Sequence, residues 1–229
     1  MYLKRFGFPS YGDERGYLSN CDTGDGMPIP FGIFPNKCLD HIDMSGVTVF
    51  CGSSECEKNL VLDIIAAKLG VAEIDGALDR SIVRGYLDMC YTRYAEYIEK
   101  RSDIDKIYIS REGALEHLNK NKYRFDGNDT LLHFYESKIK GKTICLLQEP
   151  EAFMSFEETV ALACLIEDFA TYSKTQFIIS TNSLAILGIK DALIYDFDDS
   201  IVMGKTWHNS SKAQRHISYY RELIESHKR

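Results

Sequence analysis

The sequence lacks a long hydrophobic run, a closely spaced cysteine pair and an excess of positive charge. No apolar segment approaches the roughly 20 residues that cross a bilayer as a helix, so a membrane-spanning segment is not expected. The seven cysteines are scattered and odd in number, without a C-x-x-C pair. This favours buried reduced thiols over a disulfide framework, with a zinc or redox role for Cys51 and Cys56 as the alternative.

The balance of charge is acidic, with a formal net charge of −7. Direct binding of nucleic acid or of an anionic membrane by the chain as a whole is therefore not expected. The segment 1–8 lacks the apolar core of a signal peptide, and we expect a cytoplasmic protein. The acidic run at 22–26 lacks the spacing of an EF-hand and its closing glutamate, so it predicts a solvated turn and no metal site.

The length and the hydrophobic content of the chain suit one globular unit. At 229 residues with 45% hydrophobic residues, the chain is long enough to bury a sizeable core. We expect residues 1–229 to form a single domain that carries an inserted lobe.

One stretch predicts a phosphate-binding loop. Residues 47–69 read as a β-branched strand, a turn and a helix, the layout of the motif G-x-x-x-x-G-K-[ST]. Gly52 fills the first glycine and Lys58 the lysine, whereas Glu57 stands in place of the second glycine and Asn59 in place of the serine or threonine. The candidate nucleotide-binding residues of this loop are Gly52, Ser53, Ser54, Glu55, Cys56, Glu57, Lys58, Asn59 and Leu60.

The two altered positions predict weak nucleotide binding. The second glycine lets backbone N–H groups approach the phosphates, and the hydroxyl binds Mg²⁺. Glu55 and Glu57 add negative charge to a loop meant for an anion. We expect both to lie within reach of Lys58, and one of them to pair with it as a phosphate would. The alternative is an unrelated strand–turn–helix in which Lys58 is solvated.

The rest of the chain alternates strands and helices. Residues 2–8 and 31–34 predict N-terminal antiparallel strands, and residues 74–140 predict a mainly helical lobe without a sheet signal. Continuous apolar runs predict strands of a parallel sheet. These strands are 47–50, 143–147, 176–180 and 192–196, with helices at 156–172 and 210–229. The order indicates an α/β fold with a doubly wound sheet.

Two further motifs carry a family resemblance. Leu146-Leu147-Gln148-Glu149-Pro150-Glu151 ends one strand, and Thr181-Asn182-Ser183 ends the strand that follows the next helix. Together with the loop at 52–60, their order resembles the ABC-type P-loop ATPases. More narrowly, it resembles the small single-chain ATPases labelled AAA, which are kin of the heads of chromosome-maintenance and DNA-repair ATPases.

The resemblance implies roles for individual residues. Glu149 matches the glutamate that polarises the attacking water, and it is the one candidate catalytic residue. Gln148 replaces the aspartate that holds the Mg²⁺ shell, and Asn182 replaces the histidine that senses the γ-phosphate. The signature motif falls at 125–128, where Gly127 alone matches. As a polar residue that ends a buried strand, Gln148 also needs a hydrogen-bond partner.

Three functions remain open at this point. The first is a degenerate ABC-ATPase-like binding or regulatory module, which forms a homodimer or pairs with a competent ATPase or effector subunit. The second is a slow ATPase that uses ATP and Mg²⁺, with Lys58 on phosphate and Glu149 as base. The third is a nucleic-acid-associated scaffold of the repair-head type, which the acidic charge disfavours.

Overall fold

The computed structural model describes residues 1–21, 28–53, 57–72, 80–98, 100, 103–121 and 130–227. The strands are β1 (Leu3–Gly7), β2 (His41–Asp43), β3 (Val47–Cys51), β4 (Tyr91–Tyr94), β5 (Asp105–Ile109), β6 (Thr143–Gln148), β7 (Gln176–Ser180), β8 (Leu193–Asp196) and β9 (Gly204–Lys205). The helices are α1 (Tyr11–Leu18), α2 (Ile33–Asn36), α3 (Lys58–Lys68), α4 (Arg80–Met89), α5 (Arg111–Asn121), α6 (Leu131–Lys138), α7 (Phe156–Tyr172), α8 (Leu184–Leu187) and α9 (Ser211–Ser226).

A mostly parallel central sheet organises the fold. Its strand order is β5-β6-β7-β3-β8-β9, and only the short β9 pairs antiparallel, with β8. All four strands that the apolar runs predict lie in this one sheet, which confirms the α/β prediction. In register, Val49 of β3 lies beside Ile179 of β7, which in turn lies beside Leu147 of β6.

The two faces of the central sheet carry two separate hydrophobic clusters. On β6, Ile144 and Leu146 belong to one cluster and Cys145 and Leu147 to the other. Successive side chains of a strand point to opposite faces, so a continuous apolar run is needed to fill both. The first cluster includes buried residues of α3, and the second includes buried residues of α7.

A second sheet has the order β2-β1-β4 and is antiparallel. It confirms the predicted N-terminal antiparallel strands in kind, but the predicted strand at 31–34 is wrong. Gly32 has a φ of 75°, and residues 33–36 form the short helix α2 instead. Strand β1 pairs instead with β2, which has only three residues and therefore too short a pattern to be predicted as a strand.

The stretch 74–140 is mainly helical where it is described, as predicted, but it also holds two strands that the sequence interpretation missed. Strand β4 pairs with β1, and β5 forms an edge of the central sheet by pairing with β6. Both are short and half-exposed, and Tyr91 and Tyr94 fit a helical spacing as well as a strand. Their strand conformation is set by the neighbouring strands, as is common for short segments.

No helix among the described residues is both long enough and apolar enough to cross a membrane. The predicted turn at 22–26 and the signature motif at 125–128 lie outside the described residues. The division into one domain with an inserted lobe stays a prediction.

Candidate functional site

The carboxyl ends of β3, β6, β7 and β8 meet at one edge of the central sheet. Parallel strands bring the residues that follow them together at this edge, which is where ligands bind in open α/β sheets. The candidate residues Gly52, Glu149 and Asn182 follow β3, β6 and β7 respectively. Asp198 comes soon after the end of β8 and joins them.

Lys58 is the first residue of α3, and its side chain is fully buried. Its Nζ donates to the carbonyl oxygen of Ser53 at 3.1 Å and lies 3.1 Å from Oε1 of Glu149. A buried ammonium group needs such acceptors, because an unpaired charge out of water is very costly. The alternative of a solvated lysine is therefore wrong.

Glu149 is the acidic partner at the centre of the site. Its φ is 43°, in the left-handed region, and its backbone N–H donates to the carbonyl of Ser180 at 2.8 Å. Oε1 also accepts from Nδ2 of Asn59 at 3.3 Å, while Oε2 lies 3.3 Å from the Arg111 guanidinium. Burial opposes ionisation, but the bonds from Lys58 and Asn59 and the charge of Arg111 hold the pKa of Glu149 below its usual value.

Of the two glutamates expected near Lys58, Glu57 does not pair with it, and Glu55 lies outside the described residues. Glu57 Oε2 lies 3.6 Å from Nζ of Lys37, whereas the ion pair of Lys58 is with Glu149. Glu57 immediately precedes α3, and adjacent positions at a helix start do not face each other. Ser54, Glu55 and Cys56 lie outside the described residues, and Leu60 packs against the first hydrophobic cluster.

The start of the loop is held by two charged residues from the C-terminal part of the chain. The backbone N–H of Ser53 donates to Oδ1 of Asp198 at 2.8 Å, and Nζ of Lys212 donates to the carbonyl of Gly52 at 2.8 Å. Burial opposes ionisation of Asp198, but the hydrogen bonds from Ser53 and the charges of Lys212 and Arg215 keep its pKa below the ordinary value.

Gln148 has partners on two other elements. Its Nε2 donates to Oδ1 of Asp63 at 3.1 Å, and its Oε1 accepts from the backbone N–H of Arg111 at 3.3 Å. The Tyr108 hydroxyl also donates to Oδ1 of Asp63, at 2.6 Å. Burial raises the pKa of Asp63, although the bond from Tyr108 opposes the shift. These contacts hold the amide of Gln148 against α3.

Asn182 lies at the exposed rim of the site. Its backbone N–H and the Thr181 hydroxyl both donate to Oε1 of Glu151, each at 2.7 Å. The side-chain oxygen of Asn182 accepts a long hydrogen bond of 3.5 Å from Nζ of Lys212. Lys212 thus contacts both the start of the loop and the end of β7.

Several buried polar atoms at this edge have no hydrogen-bond partner among the residues that the structure describes. They are Asn59 Oδ1, Glu151 Oε2, Ser180 Oγ and Asp196 Oδ2. Such atoms usually accept from or donate to water or a ligand. Among the residues that the structure describes, no group of three or more histidine, cysteine and acidic side chains is arranged to hold a metal ion.

Sequence reasoning missed Asp63, Arg111, Asp198 and Lys212. The acidic turn at 198–199 was visible as a polar break after β8, but nothing in the sequence linked it to the loop. Lys212 carries no local signal beyond its place in the first turn of α9. Contacts between residues so distant in sequence depend on the packing of the whole sheet.

No protein-family model matches the chain, and no curated protein sequence does. Three solved structures share features of its fold. The crystal structure of Stu0660 of Streptococcus thermophilus is 14% identical and has a TM-score of 0.48, with 73% of this chain and 74% of that chain covered. The SMC head domain from Thermotoga maritima is 12% identical with a TM-score of 0.43, over 90% and 99% of the two chains.

A nucleotide-free ATP-binding cassette from an ABC transporter is 13% identical with a TM-score of 0.47, over 95% of this chain and 96% of that chain. These likenesses concern the fold and carry no residue role to this chain. The class of the protein is set by its own topology, a mixed α/β fold with a parallel central sheet and a strand–loop–helix unit at the sheet's carboxyl edge.

Proposed function

We propose that this chain is an ABC-ATPase-like module whose nucleotide site is closed by its own side chains, and that it acts by binding protein partners. The observation that carries the proposal is the fully buried Lys58 at 3.1 Å from Glu149. Lys58 belongs to the motif that would bind a nucleotide, and Glu149 to the motif that would hydrolyse it. In this chain the two side chains form an ion pair with each other.

The ion pair disfavours phosphate directly. A phosphate group could reach Lys58 only if Glu149 gave up its place, which would leave a carboxylate that is 12% exposed beside a second anion. Separating one partner from a buried ion pair costs about 3–5 kcal/mol. Two like charges 4 Å apart repel by about 4 kcal/mol at an effective dielectric of 20.

The backbone of the loop is also engaged. In a phosphate-binding loop, successive N–H groups point at the anion. In this chain the N–H of Ser53 donates to the carboxylate of Asp198. The carboxylate of Asp198 is therefore a second internal anion, and it binds the start of the loop just after β3 ends.

The metal ligands fit poorly as well. Mg²⁺ requires near-octahedral geometry and is usually held by one or two carboxylates plus phosphate oxygens. Asn59 offers one buried amide oxygen that has no partner among the described residues, while the side chain of Gln148 is bound to Asp63 and Arg111. We infer that the described residues do not fit Mg–ATP as they stand.

A second candidate function is a slow ATPase, and one observation favours it. The carboxylate of Glu149, the candidate base, lies 3.1 Å from Nζ of Lys58, the candidate phosphate-binding cation. Robust Mg²⁺-dependent ATP hydrolysis that Glu149→Gln abolishes would establish this candidate. We expect the purified chain to hydrolyse ATP at or near background.

The proposed partners are a second copy of the chain, a competent ATPase subunit or an effector subunit. We propose a cytoplasmic location, which the six reduced cysteines among the described residues support. Free thiols are typical of a reducing compartment.

Calorimetric titration with Mg–ATP and Mg–ADP tests the closed site. The native chain should give no measurable binding, whereas Glu149→Gln should give measurable binding because Lys58 loses its anionic partner. Adding Glu57→Gly and Asn59→Ser should strengthen that binding by restoring the glycine and the hydroxyl.

The matched control is Glu116→Gln, which removes an exposed carboxylate from a helix-surface ion pair. It should leave the chain unable to bind. A micromolar Kd for the native chain, about −8 kcal/mol, would contradict the proposal. Thermal shift gives an independent reading, since a ligand at 100 times its Kd adds about 2.7 kcal/mol of stability.

A further inference from the structure

A cluster of lysines lies at the amino end of the central sheet. Two turns meet there, because the backbone N–H of Lys142 donates to the carbonyl of Ser173 at 3.0 Å and the Thr175 hydroxyl donates to the carbonyl of Lys140 at 2.9 Å. These turns precede β6 and β7 respectively. The lysine cluster consists of Lys100, Lys106, Lys138, Lys140, Lys142 and Lys174.

Two hollows bring the lysine cluster together. One has a volume of about 320 Å³, and Lys100 and Lys142 are among its lining residues. The other has a volume of about 400 Å³ and is lined by Lys138 and Lys140 together with residues 105–107 of β5. Each hollow is large enough to admit side chains of another molecule, and each presents ammonium groups to it.

Most charges of the lysine cluster are not paired within the chain. Lys142 and Lys174 both have a φ in the left-handed region, at 59° and 56°, where glycine would be unstrained. The geometry of the two turns therefore does not explain why lysine stands there. Five members of the cluster are exposed and form no ion pair among the described residues, namely Lys100, Lys138, Lys140, Lys142 and Lys174.

The charge of the lysine cluster is opposite to that of the rest of the chain. Asp103 and Asp105 line the two hollows, and with the six lysines they give this surface a formal charge of +4. The formal net charge of the chain is −7, so the remaining residues carry −11. Neighbouring ammonium groups repel one another until an anion lies between them. The surface therefore favours a negatively charged group of limited extent.

The lysine cluster borders an open strand edge. Strand β5 pairs with β6 on one side and ends the strand order of the central sheet, so no strand of the described residues pairs with its other side. Such an edge presents backbone N–H and C=O groups to which another polypeptide can add as a strand. Residues 105–107 of β5 also line the second hollow, so the strand edge and the lysines form one surface.

We propose that this surface binds an extended acidic segment of a partner protein, which adds to β5 as a further strand and places its carboxylates against the lysine cluster. In strand addition the backbone hydrogen bonds supply affinity, and the side chains supply specificity. The inference rests on the proposed function in taking the partner to be a protein. It does not depend on the closed nucleotide site, which lies at the opposite, carboxyl end of the sheet.

Nucleic acid and membranes suit the surface less well. A nucleic acid continues past a short basic patch, and the negative charge of the remaining residues repels the part that does so. An anionic bilayer is flat, whereas these lysines border two hollows. Neither ligand has peptide groups that could pair with the edge of β5, and an acidic polypeptide has both the peptide groups and the charge.

Fluorescence anisotropy of a labelled peptide tests the surface with the full chain. The probe is a synthetic peptide of about eight residues in which glutamate and valine alternate, a length and pattern that suit a strand. It should bind saturably, and a peptide with lysine in place of glutamate should not. Amide hydrogen exchange should slow in β5 when the glutamate peptide is bound, because strand addition protects the edge N–H groups.

Charge reversal locates the binding surface. Lys140 and Lys142 line different hollows, so Lys140→Glu together with Lys142→Glu should weaken peptide binding at least about tenfold. The matched control is Lys190→Glu together with Arg221→Glu, which changes the net charge equally at exposed positions in the turn before β8 and on α9. It should leave the Kd within about threefold of the native value. Far-UV circular dichroism checks that both variants are folded.

Each other result overturns a stated part of the proposal. No saturable binding of the glutamate peptide up to about 1 mM overturns it as a whole. Equal weakening by the two double variants overturns the surface, and unchanged exchange in β5 overturns strand addition. Tighter binding of single-stranded oligothymidylate of about 16 nucleotides, or of vesicles of phosphatidylserine and phosphatidylcholine, overturns the choice of a protein partner.

The test also separates this inference from the closed nucleotide site. Binding of Mg–ATP by the native chain, with the peptide results as expected, would contradict the closed site alone. Failure of the peptide to bind, with no binding of Mg–ATP, would contradict the acidic partner alone.

Discussion

Lys58 shows how a buried charge can depend on an ionic partner. None of it is exposed, and its charge is met by the carboxylate of Glu149 and the carbonyl of Ser53. Glu149 in turn has a second cation, Arg111, at its more exposed oxygen. Removing the carboxylate leaves the ammonium group buried with one neutral acceptor among the residues that the structure describes, the carbonyl of Ser53. The loss of folding stability on removing Glu149 therefore comes mainly from the unpaired charge of Lys58.

We expect Glu149→Ala to lower the free energy of unfolding by about 3 kcal/mol at pH 7, because it leaves a buried charge unpaired. The folded-state pKa of Glu149 is below that of the unfolded chain. Its contribution is therefore complete above about pH 4.3 and is lost as the pH falls through the folded value. Urea unfolding at pH 7 and at about pH 3 should show the difference shrinking.

The exposed pair of Lys120 and Glu116, at 3.3 Å, provides the control for this measurement. Glu116→Ala should change the stability by less than about 0.5 kcal/mol, because exposed pairs contribute little. Equal effects of Glu116→Ala and Glu149→Ala would show that burial of Lys58 is not what makes its pairing important.

The candidate residues of the site could be found from the sequence, but their contacts could not. The spacing of Gly52 and Lys58 and the motif around Glu149 pointed to residues that meet at one edge of the central sheet. The chain positions of Glu57 and Lys58 suggested a local pair. The fold instead brings Glu149 to Lys58 and Lys37 to Glu57, since the direction of each side chain is set by the helix start.

Among the secondary-structure elements, β1 and β7 are joined by one buried amide. The Oε1 atom of Gln176 accepts from the backbone N–H groups of Tyr2 and Leu3, each at 2.8 Å. Its Nε2 donates to the carbonyls of Leu3 at 2.7 Å and Ser45 at 3.0 Å. The side chain is fully buried with four hydrogen bonds, and it links the antiparallel sheet to the central sheet.

We expect Gln176→Leu to destabilise the protein by about 3 kcal/mol or more, because two N–H groups and two carbonyls lose a partner away from water. Urea unfolding measures the loss, and amide hydrogen exchange should show faster exchange at Tyr2 and Leu3. Gln214→Leu, at an exposed position of α9, should stay within about 0.5 kcal/mol of the native chain. A small effect at both positions would mean that water replaces the amide of Gln176.

Elements with a long and regular pattern were predicted well. The buried strands of the central sheet and α7 matched their apolar runs to within a residue or two. The errors fall on short segments: the strand predicted at 31–34, and the missed β4 and β5. A four- or five-residue segment carries too little pattern to separate helix from strand, so its partner in the fold decides.

At the scale of the whole molecule, the two hydrophobic clusters share the same strands. Ile178 of β7 packs in one cluster, while Phe177 and Ile179 pack in the other. Neither cluster can keep its packing once the central sheet separates. Strand β5, from the stretch predicted as an inserted lobe, pairs along its whole length with β6. Through β5, the predicted lobe therefore forms part of the central sheet, on which the packing of both hydrophobic clusters depends.

We expect residues 1–229 to unfold in one cooperative step. The test is urea unfolding of the full chain. Far-UV circular dichroism follows the helices, and fluorescence follows Trp207, the one tryptophan, which packs against the second cluster. Both signals should give the same midpoint and the same slope, as two-state unfolding requires. An earlier loss of helix signal without a change in fluorescence would instead show that some helices unfold separately, as an independent 74–140 lobe would.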